Sequence, residues 1–173
     1  LKKINTHSPV IVKFSITCGD DNLSKIIEPN VCVSSKRFEA INKLREYGIY
    51  TGVLMMPILP FINDTKDNID KIINQAYKSM ANFIYPMFGV TLRANQRFYY
   101  YTKLRENFPN LVSKYQNFYG DKYVCNSPNY KSLQSYFEKK CSKLGITYKM
   151  EDIISEYKSK FESEQISTGE IGR

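Results

Sequence analysis

The stretch from Val10 to Gly48, VIVKFSITCGDDNLSKIIEPNVCVSSKRFEAINKLREYG, constrains the fold of this chain more than any other. It reads as a strand, a short helix and a full amphipathic helix. From Val10 to Thr17 the side chains alternate with a period of two, so Val10, Val12, Phe14 and Ile16 share one face and Lys13, Ser15 and Thr17 share the other. A parallel strand with helices on both faces is apolar throughout. One apolar and one polar face suit instead a barrel strand whose outer side meets helices and whose inner side meets a polar ligand. Asp20 or Asp21 caps a short helix through Ile27, with Leu23, Ile26 and Ile27 inward, and Pro29 stops it by biasing Glu28 out of the helical region. Ser34 or Ser35 caps the next helix; Phe38, Ile41 and Leu44 recur at helical spacing, and Gly48 ends it.

The pattern then repeats. Ile49 to Pro57 is a continuous apolar run suited to a buried strand, and Pro57 and Pro60 close it with a rigid loop. Asn63-Asp64 turns into a helix reaching about Met80, striped by Ile69, Ile72, Ile73, Ala76 and Met80. Asn82 to Thr91 is a third strand, weakened by Pro86 and Gly89. Strand–helix–strand–helix–strand order predicts an α/β fold with about three parallel strands, part of a TIM-like (β/α) barrel.

Beyond Arg93 the expected structure is helical: one face of Phe98, Tyr101, Leu104 and Phe108, a helix from Pro109 to Gly120, and a helix capped by Ser127-Pro128. That last helix carries Tyr130, Leu133, Phe137, Cys141 and Leu144 and ends at Gly145. Glu151 to Phe161 is also helical, and the tail QISTGEIGR is loose. Residues 1–9 form an extended lead-in. The expected division is a barrel part over residues 1–93 and a helical extension over residues 94–173, in a single domain.

Composition narrows the classes of function. No apolar run approaches a membrane span and no signal peptide is visible, so a cytoplasmic chain is expected. Its start at Leu1 suggests a piece of something longer. Cys18, Cys32, Cys125 and Cys141 lack metal-ligand spacing and read as reduced thiols, and His7 stands alone. The net charge of +8 fits either a nucleic-acid partner or a lysine-rich solvated surface, and the scatter of the lysines favours the surface. The run Tyr99-Tyr100-Tyr101 offers stacking faces for bases, although helical spacing must turn one of the three inward.

The series Ser15-Ile16-Thr17, Glu28-Pro29, Arg37-Phe38-Glu39-Ala40-Ile41, Gly48-Ile49, Pro57-Ile58-Leu59-Pro60 and Asn63-Asp64 carries a resemblance. In order and spacing it resembles the second half of a radical SAM protein, within the DNA repair photolyase-like branch that includes the spore photoproduct lyases. The resemblance runs from Val10 to about Ile146. It implies a parent enzyme, a lyase by analogy, that binds S-adenosylmethionine and a 4Fe-4S cluster and generates a 5′-deoxyadenosyl radical, with nucleic acid as the substrate class.

By that resemblance Ser15 and Arg37 hold the carboxylate or ribose of S-adenosylmethionine, with Thr17, Met56 and Pro57 completing the cofactor-binding set. The loop from Pro57 to Pro60 passes near the adenine, and Glu28 orients the substrate or the arginine. Arg93 and Arg97 meet a phosphate or another anion. No catalytic residue is assigned. The plainer alternatives are a Ser15 that bonds backbone, a solvent-facing Arg37 and a helix-end Glu28.

One departure from the family is decisive for the chain itself. The cluster motif C-x-x-x-C-x-x-C is absent, and three thiolates are needed to hold such a cluster. The expectation is a carboxyl-terminal half without its cluster-binding portion, inactive alone and binding no cofactor alone. Its first strand, deprived of a neighbour, would pair with another copy or with the missing half. The competing expectation is a basic, non-enzymatic α/β module that binds nucleic acid or a protein partner.

Overall fold

A computed structural model describes the backbone of residues 1–169 and the side chains of residues 1–159. Three parallel strands, β1 (Ile11–Ser15), β2 (Tyr50–Met55) and β3 (Phe83–Pro86), form one sheet in the order β1-β2-β3. Strands adjacent in sequence are adjacent in space, and the sheet does not close on itself. The fold is α/β with about three parallel strands, as in part of a barrel, followed by a largely helical region.

Between β1 and β2 lie α2 (Asp21–Ile27) and α3 (Ser34–Glu46), and between β2 and β3 lies α4 (Lys66–Lys78). Asp20 caps α2 by accepting from the N–H groups of Asn22 and Leu23. Neither serine caps α3: Val33 is the N-cap, and Ser35 instead donates its N–H and hydroxyl to Asp21, tying the starts of the two helices together. Thr65 caps α4 through the N–H of Asn68.

The helix-facing side of the sheet holds the main core. Ile16, Val53, Met55 and Ile84 pack against Phe38 and Ile41 of α3 and against Ile69, Ile72, Ile73 and Ala76 of α4. Leu133, Phe137 and Cys141 of α7 (Tyr130–Leu144) complete it. Met80 leaves the α4 stripe, since it follows the helix end and is exposed. Tyr130 stays exposed as the first residue of α7, whose N-cap is Asn129 rather than Ser127. Ile26 is likewise exposed, and Leu23 and Ile27 are only half-buried.

The opposite face of the sheet is not open. Tyr50 and Phe83 stack with centroids 5.5 Å apart and pack on Ile153 of α8 (Met150–Gly169). Tyr50 also donates its hydroxyl to Glu156 and Tyr157 donates to the Pro9 carbonyl, which fixes α8 across the amino-terminal end of the sheet.

Residues 94–159 are not purely helical: Thr147 bridges to Phe83 of β3, and a short strand forms further upstream. The expected third strand breaks at Pro86 and Gly89 into β3 and β4 (Gly89–Thr91), and β4 pairs antiparallel with β5 (Val124–Asn126). This ribbon packs with α5 (Ala94–Asn107) and α6 (Val112–Tyr119) around Leu92, Leu104, Tyr115, Tyr119 and Cys125. Phe98 stands 81% exposed, outside the face predicted for it. The lead-in contains a short helix, α1 (Lys2–Asn5), and α8 continues through part of the segment expected to be loose, while residues 170–173 lie outside the described residues.

Candidate functional site at the strand ends

The chain leaves β1 at Ser15 and descends into the core: Ile16, Thr17 and Cys18 are all buried. Buried backbone needs partners, and two asparagines supply them. Asn63 donates to the Thr17 carbonyl at 2.8 Å, and Asn68 donates to the same carbonyl at 2.9 Å while accepting from the Gly19 N–H. Gln75 donates to the Gly19 carbonyl. Sequence reasoning passed over Asn68 and Gln75, though a signal existed: both follow the register of Ile69, Ile72 and Ala76, on or beside the buried stripe of α4. A polar residue in an apolar stripe is a buried hydrogen-bonding group in waiting.

Around this locked segment Thr17, Glu28 and Arg37 converge. Arg37 donates from Nη1 to both carboxylate oxygens of Glu28 at 3.0 Å and to the Ser15 carbonyl at 2.6 Å. Its Nε donates to the Cys32 carbonyl at 2.8 Å. Thr17 donates its hydroxyl to Glu28 at 3.2 Å. The Arg37 and Glu28 side chains are only 11% and 22% exposed, so their attraction is screened far less than that of a surface pair.

The direction of the Ser15 carbonyl matters. Ile16 donates its N–H to Leu54 of β2, so by alternation Ser15 points its own backbone groups away from β2, to the open edge of the sheet. Arg37 therefore reaches round from α3 and closes that edge at its carboxyl end. Ser15 brings its carbonyl to the arginine, while its hydroxyl makes no described bond. Among the described residues no acceptor meets Nη2 of Arg37.

The remaining expected site residues fall into two groups. Met56 and Pro57 are half-buried directly after β2, joined by a cis peptide, at the same end of the sheet as Ser15. Their loop is anchored elsewhere: Tyr115 donates to the Pro60 carbonyl at 2.6 Å and accepts from Tyr100 at 2.8 Å. Burial pushes the Tyr100 hydroxyl up to about 12, so it remains a neutral donor. Of the tyrosine run, Tyr99 is exposed, and Tyr100 and Tyr101 pack against the second core.

Arg93 and Arg97 lie beside that second core, and among the described residues neither bonds to the Arg37 cluster. Arg97 donates to the Asp121 carboxylate at 2.6 Å and to the carbonyls of Leu92, Asp121 and Lys122, stapling the turn into β5. Arg93 is exposed beside Tyr123, whose hydroxyl it holds below the usual tyrosine range.

The described donors bear on the cofactors that the radical SAM resemblance implies. Cys18, Cys125 and Cys141 are buried apart from one another and Cys32 is exposed, and no group of three or more His, Cys, Asp or Glu among the described residues could hold a metal. An iron–sulfur cluster does not fit the described residues. The strand-end set fits part of a carboxylate or ribose site, with a guanidinium that has an unused nitrogen, a free hydroxyl on Ser15, and a carboxylate acceptor in Glu28. No described helix is long and apolar enough to cross a membrane.

Comparison with known proteins gives relatives but no assigned activity. The chain is 29% identical over 111 residues to uncharacterized proteins of Mycobacterium tuberculosis and Mycobacterium bovis, covering 64% of this chain and 32% of each relative. It is also 29% identical over 73 residues to an uncharacterized protein of Acidianus two-tailed virus, covering 42% of this chain and 24% of that protein. The chain therefore spans about a third of the length of the mycobacterial relatives it matches. No family model matches, and no solved structure matches.

Proposed function

We propose that this chain is the carboxyl-terminal part of a radical SAM partial barrel and that its strand-end cluster forms one side of an S-adenosylmethionine site. The observation that carries the reading is the convergence of Ser15, Thr17, Glu28 and Arg37 at the carboxyl end of β1, in a sheet of three sequentially ordered parallel strands. Ligands of (β/α) barrels bind at that end. The mycobacterial relatives are about three times as long as the matched region, which leaves room for a cluster-binding portion in a protein of that kind.

In this reading Glu28 and the Ser15 carbonyl hold Arg37 in one orientation, and its Nη2 and the Ser15 hydroxyl face the ligand. A guanidinium held in place by a carboxylate loses little further freedom on gripping a second anion. Thr17 orients Glu28. The radical chemistry belongs to the cofactor and a cluster held by residues outside this sequence.

The test uses a longer protein that contains this sequence. Anaerobic iron–sulfur reconstitution followed by dithionite and S-adenosylmethionine should release 5′-deoxyadenosine. Arg37→Lys, which keeps the charge and loses the fork, should weaken S-adenosylmethionine binding by equilibrium dialysis about tenfold. A longer protein without a three-cysteine motif, or with no cluster absorbance after reconstitution, would overturn the reading. The basic binding-module reading draws on the +8 charge and the exposed Phe98 and Tyr99. It gains if the 173-residue chain binds single-stranded nucleic acid with a steep salt dependence.

A further inference from the structure

On the sheet face opposite α3 and α4, β1 presents Ile11, Lys13 and Ser15, opposite Tyr50, Gly52 and Leu54 of β2, and β3 adds Phe83 and Tyr85. Between this face and α8 lies a pocket of about 220 Å³. Its walls are apolar: Ile11, Leu54 and Phe83 on the sheet side, Ile153 and Ile154 on the helix side. Ile154 and Met150 at its rim are 45% and 44% exposed.

The polar groups that enter the lining are all donors or donor–acceptors of one kind. Lys13 brings an ammonium that makes no ion pair or hydrogen bond among the described residues, Tyr85 brings a hydroxyl with no described partner, and Tyr157 has already committed its hydroxyl to Pro9. No described carboxylate lines the pocket. A lysine stem lies along apolar surface while its head seeks a polar partner. A cleft with apolar walls and one unpaired cation selects both a body and a head group.

We propose that this pocket binds a small amphiphilic anion: an apolar body seated between Leu54, Phe83 and Ile153, and one carboxylate at Lys13. The face is the one that the proposed barrel turns inward, so on that reading the ligand is the substrate class. The binding itself stands on this pocket alone. An apolar floor with a single cation matches a lone acid, whereas a nucleic-acid backbone demands a row of cations.

Calorimetric titration of the 173-residue chain with octanoate, 1-octanol and octylammonium tests this without any cofactor. Octanoate should bind saturably at one site, and octylammonium should not. Lys13→Gln should weaken octanoate about tenfold and leave 1-octanol unchanged. Ile154→Glu, a rim substitution on exposed surface, should weaken octanoate while leaving the thermal midpoint in place. Absence of saturable octanoate binding, equal binding by Lys13→Gln, or equal binding of octylammonium overturns the proposal. So does sedimentation showing that octanoate acts only by dissociating a dimer, because the occupant is then a second copy. The radical SAM reading fails or holds on cluster and 5′-deoxyadenosine measurements, so the two outcomes are separable.

Discussion

At the scale of single residues, Arg37 ties together three separate stretches of the chain. It closes the open edge at Ser15, holds the loop at Cys32 and pairs with Glu28. Removing one member of a largely buried pair leaves the other uncompensated, and Arg37→Ala should lower stability by about 3 kcal/mol. Urea unfolding checks it, and Arg37→Lys should recover part of the loss. Asp64 makes a different prediction. Burial raises its carboxyl above the usual range, against smaller opposing contributions from Ser127, backbone N–H groups and Lys114. An acid whose folded value is raised contributes most below its unfolded value and loses that contribution as pH climbs to the folded one. Asp64→Asn should therefore raise the thermal midpoint at pH 7 and leave it nearly unchanged at pH 3. Thiol chemistry follows burial as well. Burial pushes Cys18 up and Cys141 up to about 12, while Cys32 is exposed. Maleimide labelling followed by mass spectrometry should modify Cys32 alone in the folded chain.

At the scale of elements, β2 is the strand on which both faces depend. Gly52 lies opposite Phe83 in register, and a Cβ there would sit 2.4 Å from the Phe83 ring. That ring is fully buried and stacked on Tyr50, so it cannot swing aside. Gly52→Ala should cost about 2 kcal/mol by overpacking, with the loss visible in the denaturation midpoint. The helices show how far periodicity carries. The Ile69, Ile72, Ile73 and Ala76 stripe of α4 and the Leu133, Phe137 and Cys141 stripe of α7 are buried as their spacing requires. Of the predicted α5 face Tyr101, Leu104 and Phe108 pack into the second core and only Phe98, in the first turns of the helix, stays outside; the ribbon of β4 and β5 in that region pairs residues more than thirty positions apart. No local pattern announces such a partner, since β5 is only three residues long.

At the scale of the whole molecule, the open edge of β1 is the unresolved liability. Arg37 closes it at Ser15, but among the described residues nothing pairs with the outward backbone groups of Ile11 and Lys13. The isolated chain should self-associate at micromolar concentration. Lys13→Pro, which removes an outward N–H without touching the ladder to β2, should return it to a monomer in sedimentation velocity. Three parallel strands, their order along the chain and the helices between them were legible in the residues alone, because each follows from side-chain period and from where proline and glycine interrupt it. The candidate site was legible only in its parts. Ser15, Glu28 and Arg37 were singled out only through the family resemblance, and the sequence did not show that the arginine would commit most of its donors to Glu28 and to backbone. The tertiary structure decided that, along with the burial of Thr17, the separation of Arg93 and Arg97 from the strand ends, and the covering of the second sheet face by α8. Local periodicity fixes which way a side chain faces within its own element. Which distant group it meets depends on how the elements pack, and that is settled only when the whole chain has closed on its core.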